Sequence, residues 1–178
     1  MADQPRRVHF FHGMLLSAED LEVEQQYHRE MRYLHNRLHG FGIVSGLDVG
    51  VSRGRVRVEP GLAIDPCGRE IVLTAPLTLK PDPPKGGRRS VRDLVITWHE
   101  SAADPAPSLV PGAEGTTEPT RWVEQPQISL VAAGKAGSEG LVLARLSRSA
   151  RGGLDVDASM RRRLGPADSG GDGGAGAS

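Results

Sequence analysis

Between Ala18 and Leu38 apolar side chains return at steps of four and three: Val23, Tyr27, Met31, Leu34 and Leu38. That spacing predicts an amphipathic helix with one apolar stripe. The opposite face, with Gln25, Arg29, Glu30, Arg32 and Asn36, is polar. Beyond Gly40 the period shortens to two. Val56 and Val58 alternate with Arg55, Arg57 and Glu59, which predicts a half-buried strand. A stripe on a helix followed by strands predicts that the stripe lies on a sheet, with Leu34 and Leu38 packed against Ile43 and Leu47.

The helix carries its own start and stop signals. Ser17 is an N-cap and Asp20 completes a capping box, while Leu16 and Leu21 stand at staple spacing. Acids (Glu19, Asp20, Glu22, Glu24) crowd the first turns and bases (Arg32, Arg37, His39) the last, as the helix dipole favours. Gly40 stops it at the C′ position. The predicted span, 18–38, is about 31 Å long at 1.5 Å per residue.

The strands follow from runs and turns. Phe41–Val51 reads as a strand bent at Gly46 and Gly50. Ser52–Gly54 is a turn into the Val56 strand. Leu62–Ile64 and Glu70–Leu73 flank the turn Asp65-Pro66-Cys67-Gly68, and Leu77–Lys80 extends the edge. Val91–His99 is a strong strand. Ala102–Thr120, rich in Pro, Gly, Ala and Thr, reads as a long mobile loop. Trp122–Val123, Ile128–Ala133 and Leu141–Leu146 read as the last strands of the sheet, with Gly134–Gly140 as a hairpin loop. Leu154–Asp157 is a short extended piece, and Ala158–Leu164 is expected to make a helical turn.

The expected architecture is therefore α+β and mainly β: an antiparallel twisted sheet or small sandwich with one long N-terminal helix packed on it. Residues 1–7 form a flexible arm and 8–164 a single domain. The low-complexity segment 165–178 is an expected disordered tail.

Composition narrows the function. Lys plus Arg and Asp plus Glu both number 22, so no global charge selects nucleic acid or an anionic membrane. With only three Phe, two Trp and two Tyr, the core must be mainly Val, Leu and Ile. Cys67 is the single cysteine, which rules out an internal disulfide and fits a reducing cytoplasm. The N-terminal apolar run is short and broken by His12 and Gly13, so neither a signal peptide nor a membrane span is expected.

No catalytic constellation emerges. Gly40, Gly42 and Gly46 approach a dinucleotide fingerprint, but they follow a helix and enter a strand, the reverse of what a phosphate site needs. His28, His35 and His39 share helical spacing, yet no H-E-x-x-H pattern or acid cluster completes a metal shell. Cys67 lacks a base, with only Arg69 nearby to stabilise a thiolate. Ser45 misses the spacing of a nucleophile elbow. The expectation is no cofactor, no metal and no enzyme activity. Two basic runs, Lys85–Arg89 and Arg161–Arg163, carry few aromatics for base stacking and read as solvated loops or docks for an acidic partner surface rather than as nucleic-acid sites. With Arg6 and Arg7, the residues Arg161, Arg162 and Arg163 are the candidate docking groups.

One long stretch carries a family resemblance. FFHGMLLSAEDLEVEQQYHREMRYLHNRLHGFGIVSGLDV, Phe10 to Val49, resembles small proteins found with phage-tail-like contractile injection systems. PGLAIDPCGREIVL, Pro60 to Leu73, belongs to the same resemblance, as do the Leu141–Arg145 strand and the Asp157 and Arg161 that follow it. The layout looks like the domain preceding the shaft in some phage tail fibres. The resemblance covers Val8 to Leu164. It implies a structural subunit at the baseplate or fibre attachment point, oligomeric and bound to other particle subunits, and it brings no catalytic residues. The alternatives are a stand-alone carbohydrate- or surface-binding β-domain and a small metal-dependent enzyme built on the helix histidines.

Overall fold

The structure is a computed structural model that describes residues 4–81, 91–109, 115–148 and 153–165. The basic run 85–89, residues 110–114 and the tail from 166 onward lie outside the described residues. Helix α1 spans Ala18–Leu38. Its capping box is closed: the Asp20 amide donates to Ser17 Oγ at 3.2 Å and the Ser17 amide to Asp20 Oδ2 at 2.9 Å. The strands after it are β1 (Gly42–Gly46), β2 (Val49–Ser52), β3 (Arg55–Val58), β4 (Gly61–Ile64), β5 (Glu70–Leu73), β6 (Leu77–Leu79), β7 (Arg92–Thr97), β8 (Glu100–Pro107), β9 (Thr117–Glu124), β10 (Gln127–Ala132), β11 (Leu141–Arg148) and β12 (Leu154–Asp157).

These pair antiparallel into sheets ordered β1-β4-β5, β2-β3-β6 and β10-β7-β11-β12, with β8-β9 as a separate hairpin. The inner faces of the three larger sheets supply one core, including Ile43, Leu47, Val56, Val58, Ile71, Leu94, Ile96 and Leu143. It is aliphatic, as the scarcity of aromatics requires. The hairpin β2–β3 and the turn between β4 and β5 stand where their sequence signals predict.

Four expectations change. The Phe41–Val51 segment is two strands in two sheets. The chain swings between them through Gly46 (φ +61°) and Leu47 (φ +56°), a left-handed pair that redirects it while Leu47 is fully buried. Gly134–Gly140 is not a hairpin loop, because β10 and β11 both flank β7 and the connection crosses over it. That crossing is held by the Gly134 amide, which donates to the buried Asp93 carboxylate at 2.7 Å.

The 102–120 segment, expected to be a loop, is largely the β8–β9 hairpin, which also takes Trp122 and Val123 out of the main sheet. Its prolines do not break it: Pro105 faces Pro119, so neither is asked for an N–H that the other would accept. Finally, the chain after Ala158 makes one hydrogen-bonded turn, Arg161 N donating to Ala158 O at 3.1 Å, and then runs on as a strap rather than a helix. The Ile43 amide donates to Arg162 O at 2.8 Å, the Leu164 amide donates to Ile43 O at 2.9 Å, and Arg163 bridges Ile43 in parallel.

Asp93 yields a test of the fold. It accepts from Arg145 Nε at 2.8 Å and Nη2 at 3.2 Å as well as from Gly134. The Arg145 guanidinium, followed by the Gly134 amide, holds this carboxyl below the usual carboxylate range even though burial pushes the other way. A depressed pKa contributes stability that is present above the unfolded value and lost as pH falls through the folded one. The denaturation midpoint should therefore fall as pH drops below about 4. Asp93→Asn should be less stable at neutral pH and show a shallower acid slope; an unchanged slope would remove Asp93 from the acid transition.

Candidate docking surface

The helix is attached by its polar face. Asn36 Nδ2 donates to Gly68 O and to Glu70 Oε1, both at 2.8 Å, and Arg37 Nη1 donates to Cys67 O at 3.0 Å. Arg32 Nε lies 3.0 Å from Glu70 Oε1, and Arg29 Nη2 lies 3.4 Å from Glu100 Oε2. The β4–β5 turn slides under the helix backbone. Gly68 sits at φ +89°, and a Cβ there would overlap Tyr33 O. The turn itself is braced by the fully buried Asp65, whose carboxylate accepts from the amides of Cys67 and Arg69, both at 2.9 Å, and from Arg69 Nε at 2.6 Å. Arg69 in turn stacks over Trp98 at 4.8 Å.

This overturns the expected packing of Leu34 and Leu38 on Ile43 and Leu47. Ile43 and Leu47 are core residues, but Leu34 is 47% and Leu38 77% exposed, and α1 buries no residue completely. The reason lies in the surface offered to the helix. At the end of β4–β5 it consists of carbonyls and Glu70, with Glu100 further along, so the arginines and Asn36 fit it and a leucine stripe does not. Phe10, Phe11, Leu15, Leu16, Leu21 and Val23 near the start of the helix are exposed as well.

The candidate arginines fall into two groups. Arg161 is an internal clamp, its side chain 7% exposed. Its guanidinium donates to Gly46 O and Asp48 Oδ1 at 2.8 Å and to Leu47 O at 3.0 Å, the carbonyls of the left-handed swing. The same contact holds the Asp48 carboxyl below its ordinary range. Arg161, expected among the docking groups, is thus engaged within the fold. Arg162 lies over the Phe41 ring at 3.8 Å, a cation–π contact, while its backbone runs so close to Gly42 that a Cβ there would meet Arg162 O at 2.7 Å. Arg163 is 62% exposed, 3.7 Å from Asp48.

Arg6 and Arg7 are exposed and belong to a different surface. The arm runs beside α1, with the Val8 amide donating to Glu24 Oε2 at 3.2 Å. Arg6 borders a hollow of about 520 Å³ between α1 and the β8–β9 hairpin, lined also by Val23, Tyr27, Glu30, Glu100 and the 66% exposed Trp122. Nothing local in the sequence announces that hollow, since it joins three segments distant along the chain.

The three helix histidines do not form one cluster. His35 and His39 face each other with Nε2 atoms 3.3 Å apart, and His28 pairs with Glu24 at 3.0 Å. Among the described residues no group of three or more His, Cys, Asp or Glu side chains is placed to hold a metal. Cys67 is half-buried and unpaired. No described helix is long and apolar enough to cross a membrane.

No protein-family model matches the chain, and no curated protein matches it. Among solved structures, a chain of the TssK–TssF–TssG baseplate subcomplex of the type VI secretion system superposes with a TM-score of 0.57 at 16% identity, over 86% of this chain and 60% of that one. The crystal structure of TssK superposes at 0.54 and 13% identity, over 86% and 41%. The fold is similar to that of TssK. A chain of the type VI baseplate complex adds a third likeness, with a TM-score of 0.55 at 15% identity over 87% and 58%. At such identities the similarity to TssK is one of fold, and this chain spans less than two thirds of each of these chains.

Proposed function

We propose that the chain is a non-enzymatic structural subunit of a phage-tail-like contractile injection particle, seated at the baseplate or the fibre attachment point and bound to other particle subunits. The observation that carries this reading is the fold shared over 86% of the chain with a chain of a type VI baseplate subcomplex. The sequence resemblance over Phe10–Leu73 points the same way. The likeness supports a scaffold rather than a catalyst, since the proteins it shares a fold with are described as baseplate components. Docking falls to exposed cations, Arg6 and Arg7 on one surface and Arg162 and Arg163 on another, against acidic surfaces of neighbouring subunits. Arg161 serves by shaping the corner that presents Arg162 and Arg163.

Sheared and purified particles from cells carrying a tagged chain test this. The tag should copurify with sheath and tube subunits at fixed stoichiometry. Absence of the chain from intact particles by mass spectrometry would overturn the proposal. Replacing Arg6 and Arg7 with Ala should reduce incorporation while leaving the melting temperature unchanged, because neither side chain belongs to the folded core.

A further inference from the structure

We infer that His35 and His39 form a two-ligand site for a divalent transition-metal cation, with Zn2+ the ion whose geometry it fits. The two residues stand four apart on and at the end of α1, so their side chains leave one face a turn apart. Their Nε2 atoms lie 3.3 Å from each other, and the rings meet edge to face with centroids 4.9 Å apart. Two nitrogens on one tetrahedral Zn2+, each about 2.0–2.1 Å from it, must stand about 3.3–3.4 Å apart. The pair is therefore already at the spacing the ion imposes. Without the ion, one Nε2 donates to the other. On binding, the donor ring carries its proton on Nδ1 instead, and both Nε2 atoms offer a lone pair.

The surroundings favour a cation at this place. His35 lies in the last turn of α1 and His39 is its C-cap, at the negative end of the helix dipole. The guanidinium groups of the same stretch are turned to the body of the protein, Arg32 to Glu70 and Arg37 to Cys67 O. Both histidines are exposed, so an ion reaches them without disturbing the core. His28 does not belong to the site, because it is paired with Glu24. Two imidazoles fall short of the four ligands of a structural zinc site. The remaining positions are open to water, and the ion is exchangeable rather than built in. Its effect is local: a bridge from His35 to His39 ties the last turn of α1 together and opposes fraying there. This inference stands on the pair alone and does not depend on the baseplate reading.

Calorimetric titration of the untagged full chain with zinc chloride at neutral pH tests it. The wild type should take up about one Zn2+ per chain. His35→Ala and His39→Ala should each weaken that uptake by roughly tenfold or more, because a single imidazole has no chelate partner. Neither change should lower the melting temperature of the metal-free chain, since both side chains are exposed. His28→Ala should leave the affinity unchanged. Saturating Zn2+ should raise the temperature at which helical circular dichroism is lost in the wild type but not in the His35 and His39 variants. Mg2+, which takes oxygen ligands, should not raise it in any of them. A wild type with no saturable Zn2+ uptake overturns the inference, as does uptake that survives both changes. Uptake lost with His28→Ala but kept with His35→Ala would move the ion to the Glu24–His28 pair and overturn it as well.

Discussion

Arg161→Ala should lower stability by about 2–4 kcal/mol, the cost of leaving buried acceptors without a charged donor. The side chain reaches Gly46 O, Leu47 O and Asp48 Oδ1. Asp48 is 64% exposed and contributes little of the effect, so the loss falls on the two backbone carbonyls. Those carbonyls belong to a left-handed pair in which Leu47 is a non-glycine at φ +56°, a conformation that persists only when its surroundings over-determine it. With the clamp gone, the swing between β1 and β2 can relax, and Leu47 leaves the core. The melting temperature should fall by roughly 5–15 °C in a domain of this size. Arg161→Lys should recover only part of that, because an ammonium cannot span three acceptors as the planar guanidinium does. A loss in chemical denaturation below about 0.5 kcal/mol would show that the corner holds itself without the clamp.

Gly68→Ala should be comparably costly and act on a different element. The position needs φ +89°, which strains any residue with a Cβ, and the added methyl meets Tyr33 O. The helix must lift from the β4–β5 turn, loosening the Asn36 and Arg37 contacts to Gly68 O and Cys67 O. The expected loss is about 2–4 kcal/mol in helix attachment, combining backbone strain with those bonds. Because α1 buries nothing completely, the β-core should survive the lifting. Helical circular dichroism should then decay at a lower temperature than the near-ultraviolet signal of Trp98, which stacks with Arg69 beside β7. Protease should also cut within 18–38 before cutting the strands. A single coincident transition at the wild-type midpoint would show that Gly68 is not a packing contact.

Much of the fold is readable from local chemistry. The bounds of α1 follow from Ser17, Asp20 and Gly40, because capping and termination are settled within a few residues. The β2–β3 hairpin follows from the valine alternation about Arg53-Gly54, and the braced turn at 65–68 from its Asp-Pro-Cys-Gly run. An aliphatic core follows from the near absence of aromatics. The β8–β9 hairpin was obscured because its prolines and small residues carry a loop composition, and only the partner strand shows that Pro105 and Pro119 face each other.

What the candidate site needed lay beyond local reading. Periodicity located the stripe of α1, but a stripe says only that something apolar should cover it. Which side of the helix faces the sheet was decided by groups 30 to 71 residues away: the carbonyls of Cys67 and Gly68 and the carboxylates of Glu70 and Glu100. The same holds for Arg161, whose three acceptors lie 113 to 115 residues earlier. In sequence it is one of three adjacent arginines, alike in charge and setting. Only the strap beside β1 buries the first, stacks the second on Phe41 and leaves the third in water. A charge acts according to the acceptors within its reach, and that reach is set by tertiary structure.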